Sequence, residues 1–261
     1  MNEELIFKNS NDDFETTCSS IYFTKLKRLT EDYFNVSCID LAKNLLGTIL
    51  VRQLSDGTIL KGKIVETECY LGSEDKASQS YNGKKTPRNE PMFMKPGTLY
   101  VYMTYGMYYC INISSQGEGA AVLLRSVEPL VGLDKMIENR CQYHVKRKRN
   151  FAGEKIPQSR ISRRKFKPHE LCNGPSKLCI SFDINIENCN KKNVSDFSDL
   201  WLEERMDQIN ESNIISSTRI GIESAGTEWA SKLLRFYIYE NKNVSIKDRE
   251  RELLRNPIRN K

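Results

Sequence analysis

Leu99-Tyr-Val-Tyr-Met-Thr-Tyr-Gly-Met-Tyr-Tyr-Cys-Ile-Asn112 gathers five of the chain's twelve tyrosines into a pattern that reads as a β-hairpin. Aromatic and β-branched residues flank a central Tyr-Gly, and Gly106 supplies the backbone freedom that a tight reversal needs. The turn therefore offers Tyr105 outward. Just upstream, Lys63-Ile-Val-Glu-Thr-Glu-Cys-Tyr70 alternates like a strand, which predicts that Ile64, Glu66, Glu68 and Tyr70 share one face. A carboxylate and an aromatic ring can then address one site.

Working outward, Ser55-Asp-Gly-Thr58 is a strong turn signal between strands expected over residues 48–54 and 61–70. Before it, Cys38, Leu41, Ala42 and Leu45 recur at the spacing of an amphipathic helix that Gly47 ends. Residues 71–97, rich in Gly, Asn, Pro and charge, read as an ordered surface loop, the kind of segment that often holds ligands. Further strands are expected over 120–127, 219–222 and 234–239, and helices over 133–140, 198–205 and 228–234. Residues 1–19 read as a polar extension, 20–255 as one domain and 256–261 as a tail.

With 261 residues and 39% hydrophobic content, the chain can bury an ordinary core without covalent staples. Its eight cysteines show no C-x-x-C spacing, so they read as reduced thiols, with no metal site. The amino terminus is acidic, and no apolar run approaches the roughly 20 residues that span a bilayer. A soluble intracellular protein is expected, nuclear in a eukaryote and cytoplasmic or nucleoid-associated in a bacterium.

The net charge is +6, yet residues 140–168 hold eleven Lys and Arg against one Glu, a local excess of +10. The rest of the chain is slightly acidic, so contact with a polyanion would be local. The basic stretch lacks hydrophobic periodicity and reads as a disordered insertion. It is open to three readings: a nonspecific DNA tether, a solvated insertion, or a nuclear-import signal at Lys146-Arg-Lys-Arg149.

From Leu41 to Asp248 the sequence resembles the alkyladenine, or methylpurine, DNA glycosylase family. The densest stretches are Ile64-Val-Glu-Thr-Glu-Cys-Tyr-Leu-Gly72, Thr86-Pro-Arg-Asn89, Met92-Phe-Met-Lys-Pro-Gly-Thr-Leu-Tyr-Val-Tyr102, Tyr105-Gly-Met-Tyr108, Asn112-Ile-Ser-Ser-Gln-Gly117 and Gly174-Pro-Ser-Lys-Leu178. The resemblance implies an α+β domain around a curved antiparallel sheet, with a protruding hairpin and peripheral helices. It implies an enzyme that binds duplex DNA, turns a damaged purine out of the helix and hydrolyses its N-glycosidic bond; a wedge that works on one nucleotide needs only a monomer, so a monomer is expected. No cofactor is implied.

The resemblance also assigns roles. Glu68 matches the general base, needed because water attacks the sugar C1′ poorly unless a carboxylate accepts its proton. Tyr70 and Tyr102 match aromatics that sandwich the extruded base, and Asn112 matches the amide that discriminates among purines. Tyr105 matches the residue that enters the minor groove and fills the vacated space. Arg125 matches an arginine beside the attacking water and target phosphate, and Ile220 a residue whose main-chain carbonyl also binds that water. Arg88 and Lys177 are candidate phosphate contacts. Met92 either presses on the duplex opposite Tyr105 or fills a gap in the core. Gln79 stands where the family commonly has a histidine that bonds the flipped base, which leaves lesion preference open.

Two rival readings remain. One is a non-catalytic module that binds damaged nucleic acid without turnover. The other is an O-glycoside hydrolase using Glu66 and Glu68 as an acid/base pair.

Overall fold

The computed structural model describes residues 26–152 and 165–255, with side chains over 144–152 excepted. The extension and tail expected at the two ends lie outside the described residues. An eight-stranded antiparallel sheet curls through the molecule in the order β3 (Leu99–Thr104), β4 (Tyr108–Ser114), β5 (Ala121–Val131), β2 (Ile59–Tyr70), β1 (Ile49–Gln53), β6 (Leu200–Glu203). The sheet forks at β2. That strand runs twelve residues, so its first half pairs with β1 and its second half with β8 (Arg235–Ile238), which in turn carries β7 (Ile214–Ser217).

Local chemistry sets these elements. Helix α1 (Cys38–Asn44) starts where the Ser37 hydroxyl accepts from the Asp40 N–H at 3.1 Å. It ends at Gly47, whose φ of +84° lets its N–H reach the Ile64 carbonyl at 2.8 Å and hands the chain to β1. In the β1–β2 turn, the Asp56 carboxylate accepts from the Thr58 N–H at 2.9 Å.

Register then separates two faces. Cys69, Val122, Ile113 and Leu99 lie opposite one another across β2, β5, β4 and β3, and all four belong to the main core beneath α1. The next row is Glu68, Leu123, Asn112 and Tyr100. Because the side-chain period is two, that row belongs to the opposite face.

One expectation about this strand needs correction. Val65 is an extra residue on β2 and Arg125 an extra residue on β5, so the strict alternation breaks at Ile64. Ile64 joins the main core while Val65 packs with Tyr237 and Val244. Glu66, Glu68 and Tyr70 keep their common face.

Four further expectations change. The helix expected over 133–140 is α2 (Leu133–Ala152), which continues into the basic stretch assigned to disorder; residues 153–164 lie outside the described residues. No Gly or Pro interrupts it between Gly132 and Gly153, and Lys, Arg, Glu and Gln are good helix formers. Its inner side packs on α3 (Pro175–Ser181), where the Arg140 guanidinium donates to the Leu171 carbonyl at 2.5 Å and Asn139 donates to the Ser181 carbonyl at 2.9 Å.

Residues 198–205 are not helical. Leu200 and Leu202 alternate with Trp201 and Glu203, and this period-two run adds β6 to the edge of β1. Nor do residues 219–222 form a strand, because Gly221 turns the chain at φ +74°. The helix expected over 228–234 is a single turn, Thr227–Ala230. Among the described residues, no helix is long and apolar enough to cross a membrane.

Candidate active site

Glu68 is fully buried at the β2 end of the polar row, yet its carboxylate is well supplied with donors. Oε1 accepts the Ile220 N–H at 2.9 Å and stands 3.0 Å from Arg125 Nη1, while Oε2 accepts the Tyr70 hydroxyl at 3.0 Å. The bulge that places Arg125 makes this possible, since one guanidinium also reaches Glu66 Oε1 through Nε at 3.3 Å. Arg235, from β8, meets the same Glu66 oxygen at 2.8 Å. Two carboxylates and two guanidiniums thus share one buried junction.

Electrostatics follow from that crowding. Burial alone would lower the Arg125 guanidinium, but Glu68 and Glu66 outweigh it and raise its pKa, so the cation is held. Burial raises the Glu66 carboxyl despite both arginines, and its Oε2 is enclosed without a hydrogen-bond partner. The Tyr70 phenol is pushed well up, first by burial and then by Glu68 and Tyr102, so it remains a neutral donor to Glu68.

A second buried pair braces this arrangement. Arg219 grips Asp75 bidentately at 2.5 and 2.9 Å, donates to the Cys69 carbonyl at 2.9 Å, and lies 4.9 Å from the Tyr70 ring centre. Asp75 also accepts the N–H groups of Leu71 and Ala77, at 3.0 and 2.9 Å. The clamp therefore ties the loop after β2 to the segment carrying the Ile220 N–H. Sequence reasoning passed over Asp75 and Arg235. Their signals were a carboxylate at the head of a Gly-rich loop and a lone charge in the apolar run Leu234-Arg-Phe-Tyr237.

Along the same row, Tyr100 donates to the Gln79 side-chain oxygen at 2.5 Å and stacks on Tyr102 at 5.1 Å. Asn112, almost buried, donates to the Tyr100 carbonyl at 3.1 Å. Tyr102 feels the charge of Glu68, as Tyr70 does, and burial raises both phenols. The row brings Glu68, Tyr70, Gln79, Tyr102, Asn112, Arg125 and Ile220 into one neighbourhood. Ile220 meets Glu68 through its amide N–H; the carbonyl contact with water expected of it stays an expectation.

The hairpin turn is as the sequence suggests. Tyr105 and Gly106 both have positive φ, +51° and +64°, and the Met107 N–H donates to the Thr104 carbonyl at 3.2 Å. Tyr105 is 85% exposed at the tip. Arg88 lies across the hairpin, donating to the Met103 carbonyl at 2.8 Å with its guanidinium 5.3 Å from the Tyr102 ring. Its loop is fastened by Asn89, which donates to the Gln79 and Lys84 carbonyls and accepts from Thr86.

Met92 takes the gap-filling role. It is 3% exposed and packs with Tyr100 and Ala121, so it has no surface to press on a duplex, whereas Met94 in the same loop is 40% exposed. Lys177 is half-buried near the start of α3, donating to the Asn173 side chain at 2.7 Å. The glycoside-hydrolase reading loses its geometry. Glu66 and Glu68 are bridged by a single guanidinium rather than set on opposite sides of a sugar.

Comparison with known proteins bears on this constellation. The model of the methylpurine-DNA glycosylase family matches residues 32–242, a span that includes every residue of the polar row. The chain belongs to that family. A human protein named DNA-3-methyladenine glycosylase is 46% identical over 237 residues, covering 89% of this chain and 74% of the human one. The mouse protein of the same name is 44% identical over 243 residues, covering 91% and 68%. As a methylpurine-DNA glycosylase family member, the chain is a hydrolytic DNA repair enzyme.

Proposed function

We propose that this enzyme everts alkylated or deaminated purines of the 3-methyladenine, 7-methylguanine and hypoxanthine type from duplex DNA. It then hydrolyses the N-glycosidic bond with a water activated by Glu68, leaving an abasic site. The observation that carries the reading is the ligation of Glu68. A carboxylate offers about four acceptor positions. Among the described residues, Oε1 is engaged by Ile220 and Arg125, whereas Oε2 accepts from the Tyr70 hydroxyl alone, so Oε2 is the oxygen with an acceptor position left for water.

Water attacks C1′ as the bond to the purine breaks, and its proton passes to Glu68. Positive charge grows on the deoxyribose as that bond stretches, and the fixed anion stabilises it more than it stabilises the ground state. Arg125 holds the Glu68 carboxylate in place through its 3.0 Å contact and supports an approach to the target phosphate. Tyr70 and Tyr102 receive the base, Asn112 and Gln79 address its edges, and Tyr105 fills the gap left in the stack. Arg88 and Lys177 serve the phosphate backbone. One such wedge acts on one nucleotide, so a monomer suffices.

Cationic N3- and N7-alkylated purines leave readily, so for them the site need mainly select and position. Hypoxanthine, being neutral, also needs a hydrogen bond or proton at the leaving base. The test uses duplexes bearing one 3-methyladenine or one hypoxanthine, followed by alkali. Strand scission with either duplex supports the glycosylase; binding of both without scission selects the non-catalytic module instead.

A further inference from the structure

Helix α2 does more than leave the core. The Tyr143 hydroxyl donates to the Met107 carbonyl at 2.5 Å, and its ring stacks on Tyr108 at 5.8 Å and 27°. Met107 and Tyr108 follow directly on the Tyr105-Gly106 turn, so the helix is fastened beside the exposed tip of the hairpin. The same helix continues to Ala152, passing through Lys146-Arg-Lys-Arg149. At 1.5 Å per residue these four cations stand about 4.5 to 9 Å further along the axis than Tyr143.

We propose that the basic second half of α2 is a second duplex-binding element, held beside the wedge by Tyr143 and seated on the phosphate backbone flanking the everted nucleotide. This rests on the reading of Tyr105 as the wedge. A duplex carries one negative charge per ~1.7 Å of axis, so a basic helix fastened beside the insertion point meets phosphates whatever the sequence. A structured element differs from a tether in one respect. Its charges are delivered at a fixed place, so their effect depends on the contact that docks them.

The experiment measures affinity against salt for an undamaged duplex and for one carrying hypoxanthine, together with single-turnover excision at saturating enzyme. Replacing Lys146, Arg147, Lys148 and Arg149 by Ala lowers the slope of log K against log salt by about 2 to 3, at about 0.9 per phosphate contact. Tyr143→Ala leaves the charge untouched and lowers the slope by about 1 or more. Tyr143→Leu gives the same result while keeping apolar bulk, and serves should the Ala variant melt. An unchanged slope in the fourfold variant overturns the proposal. So does a slope lost in the fourfold variant but kept in both Tyr143 variants, because the charges then act without docking. If the wild type neither binds nor cleaves either duplex, the glycosylase reading itself has failed; an active wild type with unchanged slopes defeats only the helix.

Discussion

The buried junction around Glu68 and the tip of the hairpin are built on opposite terms. Around Glu68, carboxylates and guanidiniums from β2, β5, β8 and the 71–80 loop are buried, and each guanidinium makes several contacts. At the hairpin tip, Tyr105 is 85% exposed and its backbone is set by one turn hydrogen bond. The difference separates two tasks. The buried end fixes dipoles and charges before any substrate arrives, which is where electrostatic stabilisation acts most strongly. The exposed end leaves apolar surface available, which on the proposed reading is buried only in DNA.

Glu68→Gln is the largest test of that contrast. It removes the proton acceptor and turns an amide nitrogen toward groups that already donate, so single-turnover excision should fall about 10²- to 10⁴-fold. Lesion binding, which depends on the hairpin, should persist. Excision at the wild-type rate would show that the buried end is a structural knot rather than the catalytic one.

Asp75→Asn attacks the brace rather than the base. With Arg219 and Asp75 both fully buried, removing one charge strands the other at a cost of about 3 to 5 kcal/mol. A fall in melting temperature is expected, accompanied by a lower kcat with KM little changed, because Tyr70 and the Ile220 N–H lose their alignment on Glu68. A loss of stability with kcat intact would mean the clamp serves the fold alone.

These buried contacts also mark where the sequence was legible. The hairpin, its tip and the Asp-Gly turn were readable because short-range turn chemistry dictates them. Glu68, Tyr70 and Asn112 were readable through motif resemblance, and register then placed them together. The bulges at Val65 and Arg125 were not readable, since a one-residue slip is set by pairing with a distant strand. The helical half of the basic segment was hidden for another reason: a charged helix shows no apolar period, and Tyr143, which meets the hairpin, is a single aromatic in a polar run.

Tyr105→Ala is the converse of the buried substitutions. An exposed tip residue contributes little to folding, so stability should stay within about 0.5 kcal/mol of wild type. The cost falls on eversion, with excision from duplex expected to drop about tenfold or more, and stacking on the order of 1–3 kcal/mol to be replaced. Excision from a lesion opposite an abasic gap, where little stacking must be broken, should suffer less. Equal losses on both substrates would place Tyr105 in the pocket rather than in the stack.

The smallest effect is a pH slope confined to the buried end. Burial raises the Glu66 carboxyl above its ordinary value of 4.5, outweighing the opposite pull of Arg125 and Arg235, with Glu68 adding to the rise. Above pH 4.5 the unfolded chain gives up this proton while the folded one still holds it. Stability must therefore decline as pH rises through the interval up to the folded value, and level off above it. Each unit of upward shift is worth about 1.4 kcal/mol. Glu66→Gln cannot titrate, so urea unfolding across a pH series should show wild type losing ground to the variant over that interval. Tyr105→Ala, compared in the same way, should run parallel to wild type. If wild type instead gained on Glu66→Gln as pH rose, the two guanidiniums would outweigh burial, and the junction would draw its stability from ion pairing despite being buried.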